Sequence, residues 1–342
     1  MKIQTLKPLC ALALFVSYAG PALAAREIAV ESSPVLDDRY PRAHVEFAAG
    51  VVSYPDLVYS RPAGARPLRL DLYHPTAKAP LSGYPLIVYI HGGGWQSGHT
   101  RHSGAFGNWP NVLADLSAKG YVVASIEYRL SNEARFPAAI HDVKTSIRWL
   151  RANARAFGID RTRAIAWGGS AGGQLAALVA TTCEDKQLMP AFTQAEATLA
   201  AESDCVQGAV AWYGIFDFRT LPEFSETKAA TPDVGSAAVK YLDCKSANCA
   251  RLALASAAAH IDAHTPPMLL IHGDGDRVVP VAQSRQFEAA LRAKHIPAEL
   301  VVIEGADHSF IGATPQATRD ASLHALNKTF DFIAATFAAK RP

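Results

Sequence analysis

The chain is short of charge imbalance, of cysteine and of long apolar runs. Lys and Arg number 33 and Asp and Glu 31, a net charge of +2. Two of those cations, Lys2 and Lys7, fall in the first 24 residues, and without them the counts are equal at 31. A chain so balanced, with no Lys/Arg cluster, carries no bulk electrostatic case for nucleic acid. Beyond the first two dozen residues no run is long and charge-free enough to cross a bilayer, which speaks against a stable membrane anchor. Neither an internal repeat nor a low-complexity linker interrupts the 342 residues, and with 49% hydrophobic and 19% charged residues they can bury a sizeable core. One domain is expected over residues 25–342.

The first residues, MKIQTLKPLCALALFVSYAGPALAA, have early lysines, an apolar stretch from Leu9 to Val16 and a small-x-small ending. That order predicts a signal peptide over residues 1–24, and therefore export to a periplasmic or extracellular compartment. Of five cysteines, Cys10 lies in that segment. The remaining four, an even number in an exported chain, suggest disulfides. Cys183 with Cys205 and Cys244 with Cys249 are favoured because each pair closes a short local loop. Neither pair has zinc-ligand spacing and no histidine pair accompanies them, so no metal is expected.

Six apolar runs carry the rest of the fold: PLIVYIHGGGW, YVVASIEYRL, RAIAWGGS, VQGAVAWYG, PMLLIHGDGD and AELVVIEGADH. Continuous apolar strands of this kind are covered on both faces. Pro137 to Phe157 places Ile140, Val143, Ile147, Leu150 and Ala154 at helical spacing. Strand and helix in alternation imply an α/β fold, a mostly parallel central sheet with helices on both faces. RLDLYHP alternates instead, as an antiparallel strand ahead of the parallel ones would. Residues 183–205 and 216–251 lack a period and are expected to be cysteine-bearing insertions over one end of the sheet, shaping a pocket.

The candidate site starts from Gly168-Gly169-Ser170-Ala171-Gly172. A serine between glycines where a strand turns into a helix fits a nucleophile elbow, which demands an unfavourable dihedral at the serine and no side chains beside it. Such a serine needs a base, and the base an orienting acid. Downstream strands end in HGDGDRVVP and GADHSF. His308 is the expected base. Asp276, farther into its crossover loop, is preferred over Asp274, which suits a turn residue bonding its own backbone; Asp307 is expected to point elsewhere. HGGGW, His91 to Trp95, suits an oxyanion loop in which Gly93 and Gly94, with the Ala171 N–H, offer donors. His91 is expected to bond within its own loop. Trp95, Phe106, Trp109, Phe136, Trp212, Tyr213 and Phe216 lie near strand ends and are candidates for either pocket wall or core.

With HGGGW, EYRL, FPAAIHDVKTSIRWLRANA, GGSAGG, HGDGDRVVP and GADHSF in this order, the chain from about Leu68 to Ala338 resembles the α/β-hydrolase superfamily. Within it, the similarity is to the carboxylesterase branch of hormone-sensitive-lipase-like enzymes and BD-FAE-type feruloyl and acetyl esterases. The resemblance implies a triad of Ser170, Asp276 and His308, an oxyanion loop at Gly93 and Gly94, and no cofactor. It departs from the family's pattern at ASAAAHIDAHTPPMLL, where Ser-Pro often precedes the acid-bearing strand, and in its cysteine-bearing insertions. The expected function is serine hydrolysis of a short-chain or aromatic carboxylic ester, free or carbohydrate-linked. A peptidase or amidase of the same fold, or a binding protein that kept the fold without activity, are the alternatives.

Overall fold

The computed structural model describes residues 43–193, 196–221, 224, 232–244 and 248–339, all within a compact unit that starts at Arg42. The expected signal peptide lies outside the described residues. Among the described residues nine strands form one sheet: β1 Val45–Phe47, β2 Val51–Ser60, β3 Leu68–Pro75, β4 Tyr84–Ile90, β5 Val122–Ile126, β6 Ile159–Gly169, β7 Gly208–Trp212, β8 Met268–Gly273 and β9 Ala298–Ile303. Their order is β1-β2-β3-β5-β4-β6-β7-β8-β9. The pairings as far as β3–β5 are antiparallel, and those from β5 through β9 are parallel.

Helices are α1 Trp109–Ser117, α2 Ala138–Ala152, α3 Ala171–Thr181, α4 Ala197–Ala200, α5 Pro232–Leu242, α6 Ala250–Ala255, α7 Ala282–Ala293 and α8 Pro315–Ala338. Successive residues of a strand point to opposite faces, so β4 supplies Leu86, Val88 and Ile90 to one core and Ile87 and Tyr89 to the other. The first core takes α2, α3 and α7; the second takes α1 and α8. This is the mostly parallel α/β sheet with helices on both faces that the apolar runs imply. No helix among the described residues is long and apolar enough to cross a membrane.

Two expectations need correction, and one strand carries no readable period in the sequence. β9, expected to be covered on both faces, is an edge strand whose residues are half-buried or exposed, because only β8 pairs with it. β2 went unrecognised in the sequence: Pro55 and Asp56 break its alternation, and the register shifts between Tyr54 and Leu57, with Asp56 at φ 58°. The 183–205 segment does not sit over the carboxyl ends of the strands. Since α3 leaves the end of β6 and runs back along the sheet, its exit lies at the opposite end, beside the start of β6. There Arg151 donates to Arg161 O, Ser203 O and Cys205 O. The segment covers what the wheel of α2 offers as a charged face. Asp204, fully buried, takes Arg148 Nη2 at 3.0 Å and Lys144 Nζ at 3.4 Å, and burial holds the Lys144 ammonium below its ordinary pKa although Asp204 pulls the other way. The disulfides are Cys183–Cys205 and Cys244–Cys249. The first tethers the segment that carries Asp204.

Candidate active site

Ser170 occupies the turn between β6 and α3 with φ 56° and ψ −121°, a conformation that L residues rarely adopt. Its N–H donates to Trp212 O at 2.9 Å, and its carbonyl accepts the first helical bond, from Gln174 N at 3.0 Å. The surrounding glycines are steric necessities. A Cβ on Gly172 would stand 2.7 Å from His91 O and closer still to Ile90 O, and one on Gly173 2.6 Å from Trp212 O. Helix α3 is thus pressed against the ends of β4 and β7, and the serine hydroxyl is left at the helix N-terminus, where developing negative charge is favoured.

His308 follows β9 in the loop before α8. Its Nε2 lies 3.0 Å from Ser170 Oγ and its Nδ1 lies 2.8 Å from Asp276 Oδ2. A carboxylate faces Nδ1, so that nitrogen carries the proton and donates it, leaving Nε2 to accept from the serine hydroxyl. Asp276 is set by its own turn: Oδ1 accepts from Val278 N and Val279 N, both at 2.8 Å. Burial by itself would raise this carboxyl's pKa. Hydrogen bonds from His272, His308 and the Val279 N–H outweigh it and hold the group well below the usual carboxylate range. Asp274 instead accepts from Gly305 N at 2.7 Å, so it ties two loops together rather than bonding its own turn. Asp307 turns to Arg277 and to the His308 backbone N–H.

The glycine loop after β4 stands across from this relay. Gly92, Gly93 and Gly94 line, with Ser170 and His308, a cavity of about 860 Å³. Gly93 and Gly94 have φ 107° and 58°, and the Gly93 carbonyl is turned back to accept from Gln96 N and Ser97 N. Ala171, buried, opens α3, where the first N–H groups have no intrahelical acceptor. His91 bonds Gly92 O at 2.8 Å through Nδ1 and stacks on Tyr128 at 4.3 Å. Its pKa is lowered to about 4, chiefly by burial, against the raising effect of the bond to Gly92 O.

Of the seven aromatic candidates, Trp95 and Tyr213 line the cavity. Trp109, Phe136, Trp212 and Phe216 are buried in the two cores, and Phe106 packs on Trp109 at 5.1 Å. Trp95 also anchors the glycine loop: Nε1 donates to Gln174 Oε1 at 3.0 Å, and its ring stacks on Tyr241 of α5 at 4.4 Å. No motif in the sequence marks Gln174 or Tyr241, nor His272 and Ser284 beneath Asp276. The one available signal was position, Gln174 in the first turn of α3 and His272 just before the glycine that ends β8. No acid lines the cavity among the described residues, and His99 and His102 stand on its exposed rim. Nor, among the described residues, could any group of three or more His, Cys, Asp or Glu hold a metal ion.

The BD-FAE family model matches residues 70–291. Esterase LipQ of Mycobacterium tuberculosis is 31% identical over 252 residues, which cover 74% of this chain and 55% of that protein. The chain spans about half the length of the curated relatives it matches first. Among solved structures, a truncated carbohydrate esterase from gut microbiota superposes with a TM-score of 0.68 at 23% identity, covering 88% of this chain and 99% of that one, a likeness of fold. The propionate-bound thermophilic esterase of the Planctomycetes species Thermogutta terrifontis, Est2, has a TM-score of 0.63 at 26% identity, covering 81% of this chain and 92% of that one.

Proposed function

The chain belongs to the BD-FAE family of α/β-hydrolases, and from that premise we propose that it hydrolyses carboxylic esters by acyl transfer through Ser170. The observation that carries the reading is the unbroken relay from Ser170 Oγ through His308 to Asp276, 3.0 Å and 2.8 Å, on a strained elbow facing a glycine loop. His308 Nε2 takes the serine proton as Oγ bonds to the ester carbonyl carbon. Asp276 keeps the imidazole in the required tautomer and balances its cation. The N–H groups of Gly93, Gly94 and Ala171 receive the oxyanion. When the tetrahedral intermediate collapses, the bond to the alkoxy oxygen breaks and His308 protonates the departing alcohol. Water, deprotonated by the same imidazole, then releases the acid and returns the proton to Ser170.

Short acyl chains suit the site, by analogy with the propionate- and butyrate-bound forms of the Thermogutta esterase. Aryl esters and esters carried on carbohydrate remain within the proposed range. Export is part of the proposal, supported by the character of the first 24 residues and by the two closed disulfides. Initial rates on p-nitrophenyl acetate, butyrate and octanoate and on methyl ferulate, with Ser170→Ala alongside, test the reading. Short esters should turn over, and the variant should lose at least about 10⁴-fold in kcat. Equal rates for the two proteins would end it.

A further inference from the structure

β8 reads Met-Leu-Leu-Ile-His-Gly and is buried along its whole length. Packing there calls for an apolar side chain, yet the position before the final glycine holds His272, fully buried. A buried imidazole is costly unless both nitrogens are partnered, and here both are. Nε2 lies 2.9 Å from Val279 O and 3.2 Å from Asp276 Oδ2, and Nδ1 lies 2.7 Å from Ser284 Oγ on α7. Both neighbours of Nε2 are acceptors, so the proton sits on Nε2 and Nδ1 accepts from the Ser284 hydroxyl. Val279 N in turn donates to Asp276 Oδ1. The imidazole therefore closes a ring: it holds the carbonyl of Val279 and reaches one oxygen of Asp276, while the amide of Val279 holds the other. The oxygen that His272 reaches, Oδ2, is the one that accepts from His308, and Oδ1 is the one held by Val279.

We propose that His272 is a positioning residue for Asp276, its Ser284-locked N–H fixing the carboxylate and drawing off part of the charge that the carboxylate presents to His308. The proposal rests on Ser170, His308 and Asp276 acting as the catalytic relay. With the second donor present, Asp276 orients His308 without overstabilising its protonated form. Removing that donor leaves a more basic carboxylate facing the imidazole, a change that the acid limb of the rate profile reads. The other titratable groups near Asp276 are Tyr213 in the loop after β7, a phenol kept neutral by burial, and Arg277, which is paired with Asp307 on the rim. Neither contacts His272.

The test is the pH profile of kcat/KM on p-nitrophenyl acetate for wild type, His272→Leu, His272→Gln and Ser284→Ala. His272→Leu should lower kcat about tenfold with KM within about twofold, and move the acid limb up by roughly half a pH unit or more, the scale of one lost hydrogen bond. His272→Gln keeps an N–H within reach of Asp276 and should restore most of the rate and the wild-type limb. Ser284→Ala, which leaves Nδ1 without its donor and loosens the ring, should move the limb in the same direction by less. Loss of rate with an unmoved limb, or a glutamine no better than leucine, overturns the proposal and leaves His272 a packing residue. Should His272→Leu not fold, the limb of Ser284→Ala decides. Activity that survives Ser170→Ala in the same assay refutes the relay and this proposal with it, whereas its loss upholds the relay and leaves the role of His272 to the pH profiles.

Discussion

Replacing Gly172 with alanine adds one methyl group in the first turn of α3, and no residue near it can yield cheaply. The new Cβ would stand 2.7 Å from His91 O and 2.8 Å from Ile90 C, closer still to Ile90 O, and all of these are backbone atoms of β4 and its exit. Relief requires α3 to back away from β4 by about 1 Å, since overpacked backbone does not compress. That displacement carries Ser170 away from both His308 and the glycine loop. A misplacement of about 1 Å costs on the order of 100-fold in rate, and overpacking costs about 1–3 kcal/mol of stability. Gly107 is the matched control, because a Cβ there meets nothing within 4 Å. Urea unfolding and kcat on p-nitrophenyl acetate should show Gly172→Ala folded, destabilised and about 100-fold slower, and Gly107→Ala near wild type. A Gly172→Ala enzyme within threefold of wild type would refute the idea that the elbow's alignment depends on close contact between α3 and β4.

Asp276→Asn keeps the shape of the acid but changes the tautomer it selects at His308, so kcat should fall about 10⁴-fold with little change in KM; steady-state kinetics reads this directly. His91, with its folded pKa near 4 against an ordinary 6.5, favours the folded state above about pH 6.5 and loses that contribution as pH falls toward 4, because the unfolded chain then binds the extra proton. Between pH 7 and pH 5 the loss is about 2 kcal/mol, and urea unfolding of His91→Gln should show a correspondingly shallower fall over that interval. His141, also lowered to about 4 mainly by burial, should remain to destabilise both proteins in acid. At the far end of the sheet, Asp204→Asn leaves Lys144 and Arg148 buried without their counter-charge. It should cost about 3–5 kcal/mol in urea unfolding while the folded fraction keeps wild-type kcat.

Much of the architecture is written locally. A strand buried on both faces is a continuous apolar run whatever its neighbours, so β4 to β8 and α2 are visible in the chain, as is the glycine-flanked serine, whose backbone excludes other residues. β2 was hidden because a Pro-Asp bulge interrupts its alternation, and the exposure of β9 because an edge position is a property of the sheet rather than of the strand.

Residue types and chain order therefore announced an α/β sheet and named a serine, an acid and a histidine in loops at strand ends, since those features depend on period and steric demand within a few residues. The preference for Asp276 over Asp274 was also legible, from its place farther into the crossover loop, but seating His272 and Ser284 beneath that carboxylate, tying Asp274 to Gly305, stacking Tyr241 on Trp95 and burying the charged face of α2 under Asp204 are matters of long-range packing. His308 and Ser170 are 138 residues apart in the chain. Their 3.0 Å separation exists because parallel strands end together, a relation that no stretch of sequence contains.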